Sequence, residues 1–381
     1  MPDSAKIDYS LRQARMASAI RSAGLDAFVL NPGPSLKYLT GLNFHLMERP
    51  VVVFFIPDAQ PVIVLPELEA AKVAHLPYAL KVFHYGEDSA EWKRIFQQAA
   101  LAAAMDGRQR IGVEPRGLRV LELRLLEAAM PAVEFVSSEE TPAALRMFKD
   151  AAELNAMRKA VSIAQDALLA TLPMIKAGMT EREVANELTL QLLRAGSDPE
   201  MPFSPIVSGG PNSANPHASP TDRALQTGDL LVIDWGASFD GYISDITRTF
   251  AIGRVEPEME QIARIVAEAN AAGRAAAGRA AAGPEVSAGA VDAAARQVIE
   301  QAGYGKYFVH RTGHGIGMEG HESPYIRAGS DQPLLPGMTF TIEPGIYLPE
   351  RNGVRIEDNV VITSTGVECL TDLPRELIVL G

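Results

Sequence analysis

Hydrophobic and polar positions repeat with two different periods in the first third of the chain. Residues 9–22 carry Leu11, Ala14, Met16 and Ile20 on a rough stripe, the spacing of an amphipathic helix. Residues 26–31 (DAFVLN) read as a strand stopped by Pro32-Gly33-Pro34. The apolar runs at 51–56 and 61–65 predict a hairpin with Pro57-Asp58 in its turn. A helix over 90–105, a strand over 110–114 and a helix over 117–130 extend an alternation that predicts a compact α/β domain. Residues 137–143 (SSEETPA) are polar and include a proline, so the boundary is placed there, with a first domain over 1–140 and a second over 141–381.

The pattern then changes. Residues 148–175 and 180–195 read as two helices, the second opened by Thr180 with Glu183 three residues on, a capping box. Strand and turn patterns run to Gly253, and 256–302 returns to helix. The Ala/Gly/Arg stretch AAGRAAAGRAAAG in that helix suits close packing on a sheet. From 306 onward strands and tight turns resume, which makes the second domain α+β.

Composition narrows the function classes. A length of 381 residues suits two domains, and 47% apolar with 22% charged residues is ordinary for a globular protein. A net charge of −12 would repel nucleic acid. Cys369 is the single cysteine, which precludes an intrachain disulfide and fits a reducing compartment. It reads as a core residue rather than a nucleophile. The N-terminus shows no apolar segment behind a basic start, and runs such as VVVFFI are strand-sized, short of the ~18 residues of a membrane span. The expectation is a cytoplasmic protein with no membrane segment.

Charges placed in apolar runs carry the chemistry. Asp234 and Asp245 lie in LLVIDWGASFDGYISDITRTF, His314 in HRTGHGIGMEGHE, Glu343 in FTIEPGIY and Glu357 in GVRIEDN. Charges in such runs are rarely buried without a partner. The first segment predicts a hairpin with Asp240-Gly241 in its turn. Asp234 and Asp245 average to 239.5, which would place them opposite each other across the ladder. Glu343 and Glu357 average to 350, inside the PERNG loop of a second hairpin, where a bulge at Pro344-Gly345 could shift the register. Opposed carboxylates destabilise a sheet unless a cation lies between them. Four carboxylates and one imidazole make a hard, oxygen-rich nest for two divalent ions, suited to Mn²⁺, Fe²⁺ or Co²⁺ without excluding Zn²⁺. Such a pair activates water and polarises a carbonyl, the work of a hydrolase. There is no HExxH, GASFDG does not fit GxSxG, and GHGIG lacks the lysine of a P-loop.

The Asp–Asp–His–Glu–Glu order, the spacing 245 − 234 = 11, and the GHGIG, EPG and RIED contexts resemble the pita-bread metallopeptidases: methionine aminopeptidase, aminopeptidase P, prolidase and creatinase. The likeness covers about 148–365. The part before it, with YLTG at 38–41, resembles the creatinase/prolidase N-terminal domain and favours the proline-specific branch. The resemblance implies that Asp245 and Glu357 bridge two ions, that Asp234 completes one and that His314 and Glu343 complete the other. A bridging water or hydroxide would attack, with Glu343 handling its proton. His217 would contact substrate near the scissile bond, and His321 would hold its carbonyl or a carboxylate. His310 matches a less central histidine.

Arg355 would lie on the same strand face as Glu357 and orient it, Tyr347 matches an active-site tyrosine, and Thr247 would hydrogen-bond a ligand. The 43–50 segment (NFHLMERP) resembles a loop that reaches the partner subunit's active site, where His45, Glu48 and Arg49 could read a substrate terminus. The implied protein is a homodimeric, Mn²⁺-preferring peptidase cleaving an N-terminal residue from proline, either in a dipeptide or in a longer peptide. Two other readings share the fold: a hydrolase or lyase of a small osmolyte, and an inactive binding module.

Overall fold

In the computed structural model, which describes residues 7–381 except 106, 108 and 283–285, the chain divides into two units, Met1–Arg146 and Met147–Gly381. The first unit opens with helix α1 (Tyr9–Ser22), capped by the Asp8 side chain. Its buried stripe is Arg12, Met16 and Ile20, whereas Leu11 is 50% exposed, so the expected stripe is rotated. Arg12 can lie inward because it donates to Tyr38 O at 3.1 Å and stacks 4.0 Å over the Tyr38 ring.

Pro32-Gly33-Pro34 ends strand β1 (Ala27–Leu30) and also starts helix α2 (Pro34–Thr40), since proline fits a first helical turn. The expected hairpin is present as β2 (Val52–Phe55) and β3 (Val62–Pro66), with Val53 opposite Ile63. After the short helix α3 (Ala70–Val73) come β4 (Lys81–Tyr85), α4 (Trp92–Ala102), β5 (Arg110–Val113), α5 (Val120–Ala129) and β6 (Glu134–Ser137). The mixed sheet runs β4-β3-β2-β1-β5-β6. Val29, Phe54 and Val64 pack on Phe96 of α4 and Leu126 of α5.

The segment at the expected boundary is ordered. Residues Glu140–Arg146 form helix α6, which packs on α1 and α2, so the division falls at 146/147 rather than at 140. Pro142 sits in the first turn of α6, where no backbone N–H is needed.

The second unit places a helix pair on each of two sheets. Helices α7 (Ala151–Thr171) and α8 (Glu181–Ala195) cover the sheet β19-β11-β8-β7. Its strands are β7 (Ile206–Gly209), β8 (Leu230–Trp235), β11 (Ile246–Ile252) and β19 (Ile378–Leu380), with the small ribbon β9 (Ser238–Phe239) and β10 (Tyr242–Ile243) between β8 and β11. The Thr180–Glu183 capping box closes α8. Helices α9 (Pro257–Gly278) and α10 (Ala288–Gln301) cover the sheet β13-β12-β14-β17-β18.

That second sheet contains β12 (Gly313–Gly315), β13 (Glu322–Ile326), β14 (Thr339–Ile342), β17 (Asp358–Thr363) and β18 (Gly366–Cys369). The ribbon β15 (Gly345–Leu348) and β16 (Asn352–Arg355) extends from it. The small-residue stretch is close-packed: a Cβ at Gly273 would come within 2.9 Å of Ile342 Cγ2. Gly283, at its end, lies outside the described residues. No helix among the described residues is long and apolar enough to cross a membrane.

Candidate metal centre

Two hairpins meet at one point, the isolated bridge Thr247↔Glu357, where Glu357 N donates to Thr247 O at 3.0 Å. The Asp hairpin differs from its expected register. Thr247 is opposite Asp234, and Phe239 is opposite Tyr242. The turn centre therefore lies between Asp240 (φ 53°) and Gly241 (φ 79°), both left-handed as a type I′ turn requires. Asp245 is a diagonal neighbour of Asp234, displaced by two residues along its strand but on the same face. The Glu hairpin keeps its expected register. Ile342↔Asp358 and Gly345↔Arg355 bracket Glu343 and Glu357 as opposed positions, with no shift at Pro344-Gly345. At this pair the hairpin leaves one sheet for the ribbon, freeing Glu343 N to donate to Thr312 O at 2.7 Å.

His314 enters from β12. Its Nδ1 lies 3.1 Å from Gly315 O, a pure acceptor, so the proton sits on Nδ1 and Nε2 faces the acids. Nε2 is 3.5 Å from Glu343 Oε1 and 3.7 Å from Asp245 Oδ2. Asp245, His314 and Glu357 each bring a ligand atom within 4.8 Å of the others. Asp234 Oδ1, Asp245 Oδ1 and Glu357 Oε1 are buried with no hydrogen-bond partner among the described residues. Three bare oxygens on buried carboxylates fit divalent cations, since such atoms otherwise keep a full desolvation penalty.

The protonation balance agrees. Burial, then the neighbouring carboxylates, push Asp245 and Glu357 well above the usual carboxylate range. Burial raises Glu343 to about 7. Burial, then the nearby His321, hold His314 well below the usual imidazole value, so it is the neutral ligand form.

Arg355, 3% exposed, holds Asp234 rather than the expected Glu357. Its Nη2 donates to Asp234 Oδ2 at 2.6 Å and its Nε to Thr247 Oγ1 at 3.1 Å. Thr247 Oγ1 in turn donates to Glu357 Oε2 at 2.7 Å, so Arg355 reaches Glu357 only through Thr247. Its Nη1 donates to Tyr347 Oη at 2.9 Å and to Pro216 O at 3.3 Å. Burial raises the Tyr347 phenol to about 12. Tyr347 Oη also meets His310 Nε2 at 2.8 Å, and His310, which burial lowers to about 4, contacts Arg311 O through Nδ1. The His321 ring lies 4.1 Å from that of His314. His217 is exposed on the loop that gives Pro216 O to Arg355.

In the first unit, Arg49 pairs with Glu48 at 2.5 Å and Glu87 at 2.9 Å, while His45 is exposed. Cys369 is partly buried, and Arg375 donates to its Sγ at 3.3 Å.

Two supporting residues escaped the sequence reading. Arg248 donates from Nη1 to Thr247 O and Glu357 O at 2.9 and 2.7 Å, clamping the bridge from behind. Asn359 accepts from Asp245 N at 3.1 Å and donates to Asp245 O. Arg248 interrupts the buried run Ile246–Ile252, the same signal that marked Asp234.

Replacing Arg355 with Met should weaken divalent-ion binding about 10- to 100-fold, as removal of a ligand-orienting partner typically does. Lysine should not rescue it, because one ammonium cannot reproduce the forked contacts. Calorimetric titration checks this, and unchanged affinity in Arg355→Met would contradict it.

The fold and this acidic, histidine-bearing centre define a two-domain metallopeptidase. Residues 155–364 match Metallopeptidase family M24 and residues 12–148 match the Creatinase/Prolidase N-terminal domain. The chain belongs to metallopeptidase family M24. It is 35% identical over 367 residues to an Xaa-Pro dipeptidase of Lactobacillus delbrueckii subsp. lactis, covering 96% of this chain and 98% of that protein. The solved structure of dipeptidase PepE from Mycobacterium ulcerans matches with a TM-score of 0.88 at 38% identity, covering 99% of both chains. That of a recombinant prolidase from Thermococcus sibiricus matches with 0.92 at 31% identity, covering 98% of this chain and 100% of the other.

Proposed function

We propose that this peptidase hydrolyses the bond between an N-terminal residue and proline, using two divalent ions held by Asp234, Asp245, His314, Glu343 and Glu357. The observation that carries this reading is the set of unpartnered, buried carboxylate oxygens around one neutral imidazole. Relatives named Xaa-Pro dipeptidase and prolidase support the substrate class, and a dipeptide is the preferred form.

When bound, two such ions lower the pKa of water and polarise a carbonyl. The protein's own groups do the rest. Glu343, a mostly buried carboxylate beside His314, suits accepting a proton from the attacking water and returning it to the leaving amine. His321, beside His314, and His217 orient the substrate carbonyl. Arg355 fixes the Asp234 carboxylate, and Tyr347 accepts from Arg355 and steadies it. Mn²⁺ is the preferred ion, with Co²⁺, Fe²⁺ or Zn²⁺ as substitutes, and the protein works as a cytoplasmic homodimer.

The test strips the metal, restores Mn²⁺, Co²⁺ or Zn²⁺ separately, and assays Ala-Pro beside Ala-Pro-Ala. Metal-dependent cleavage is expected, faster on the dipeptide. Faster cleavage of the tripeptide would assign an aminopeptidase instead. Two tightly bound ions with neither substrate cleaved would sink the proline reading and favour a small osmolyte.

A further inference from the structure

The His217 loop is held from a distance by one buried carboxylate. Glu181 opens α8 and is 0% exposed. Its Oε1 accepts from Gly209 N at 2.8 Å and from Asn212 Nδ2 at 3.0 Å. Its Oε2 accepts from Thr221 N at 2.9 Å and Thr221 Oγ1 at 2.6 Å. Gly209 and Thr221 are the two ends of the loop, and His217 lies between them. The loop caps the helix in return: Glu181 N donates to Arg223 O and Arg182 N to Thr221 O, at 3.2 and 3.1 Å. These are amides that a helix start leaves without intrahelical acceptors.

The rest of the loop is tied to the candidate centre. Ser213 Oγ accepts from Gly353 N at 2.8 Å, and Pro216 O accepts from Arg355. Arg223 forks onto Asp229 at 2.6 and 2.9 Å just beyond the loop. His217 is thus an exposed apex on a loop whose two ends converge on one acceptor pair.

We infer that Glu181 is a positioning residue for His217: it fixes the 209–221 loop so that the imidazole meets the substrate. This rests on the proposed contact between His217 and substrate. Every donor around Glu181 needs an acceptor, and glutamine offers one oxygen where the site needs two. Glu181→Gln therefore turns an N–H toward either Gly209 N or Thr221 N, and the loop loses one end.

The experiment combines hydrogen–deuterium exchange with a double-mutant cycle on the metal-loaded full chain. Glu181→Gln should speed exchange of the 209–221 amides while the β12 and β14 amides stay protected and metal content is unchanged. With Ala-Pro, kcat/KM should fall about 10- to 100-fold, the scale of a misplaced contact. In a His217→Ala background the same substitution should change kcat/KM less than about twofold, the mark of two residues acting as a unit. Equal losses in both backgrounds, or unchanged exchange, overturn the inference. If the unmodified holoenzyme does not cleave Ala-Pro, the functional reading fails separately, and the exchange arm alone decides whether Glu181 anchors the loop. Should Glu181→Gln not fold, Thr221→Val, which removes the hydroxyl that donates to Glu181 Oε2, carries the same comparisons.

Discussion

Replacing Glu357 with Gln should cut metal-dependent hydrolysis by at least about 100-fold, beyond the usual cost of losing a ligand's outer partner, while making the metal-free protein more heat-stable at pH 8. Both effects come from one atom pair. Glu357 is 1% exposed, and its Oε1 has no partner among the described residues. Burial, then Glu343 and Asp234, raise its carboxyl. A carboxyl whose folded pKa exceeds its unfolded value of ~4.3 contributes stability fully below that value and loses it as pH rises through the folded pKa. Metal-free wild type should therefore weaken as pH climbs from 5 to 8. Glutamine mimics the protonated form and does not titrate, so the variant's advantage should widen over that range. Melting of chelator-treated proteins at pH 5 and 8, beside an Ala-Pro assay with metal restored, checks both halves. A stability gap that narrows with pH, or activity clearly above about a hundredth of wild type, contradicts the account.

Arg248→Met should cost about 3–5 kcal/mol, the range for breaking a buried ion pair from one side. Besides the bridge carbonyls, Arg248 donates to Pro374 O at 2.8 Å, Leu373 O at 3.0 Å and Asp358 Oδ1 at 2.8 Å. Methionine fills the space and leaves all of those acceptors short. Arg375, 2.7 Å from Asp358, prevents that carboxylate from being wholly unpaired. Burial alone would raise Asp358, but Arg248 and Arg375 outweigh it and hold the carboxyl below its usual range. A depressed carboxylate contributes stability above its unfolded pKa and loses it as pH falls. The deficit of Arg248→Met should therefore be full at pH 7 and shrink toward pH 3. The chain has two tryptophans, and Trp235 is fully buried on β8. Its fluorescence in a Trp92→Phe background reports on the second unit alone during urea unfolding. A deficit that stays constant with pH would assign the loss to the four backbone carbonyls and to packing, and not to the Asp358 pair.

The ligand candidates were legible because each is a charge in an apolar strand pattern, and register arithmetic could place them. It placed the Glu pair correctly because Pro344-Gly345 adds no extra residue. It misplaced the Asp pair because a two-residue I′ turn is centred between Asp240 and Gly241, one residue beyond 239.5. Helix α6 was illegible because Pro142 reads as a breaker, although a first turn tolerates it. The buried charges were harder still. Lys149 Nζ meets Glu322 Oε1 at 2.6 Å across 173 residues of sequence, and Glu181 binds Thr221 across 40. No local pattern announces a partner so far away. Arg355 shows the limit of face arithmetic: its side chain crosses to Asp234 on the other hairpin.

The Thr247–Glu357 bridge joins two sheets whose ligand candidates lie 357 − 245 = 112 residues apart. Ions seated there would act as a removable staple between two halves of the chain. A permanent cross-link closing a ~100-residue loop withdraws roughly 5 kcal/mol of disorder from the unfolded chain. Ions that leave when the halves separate do not restrain the unfolded chain; they stabilise the native state by mass action, in step with their free concentration. The same two ions would then serve as reagent and as fastener, and scarcity of metal would loosen the second unit as well as silence it.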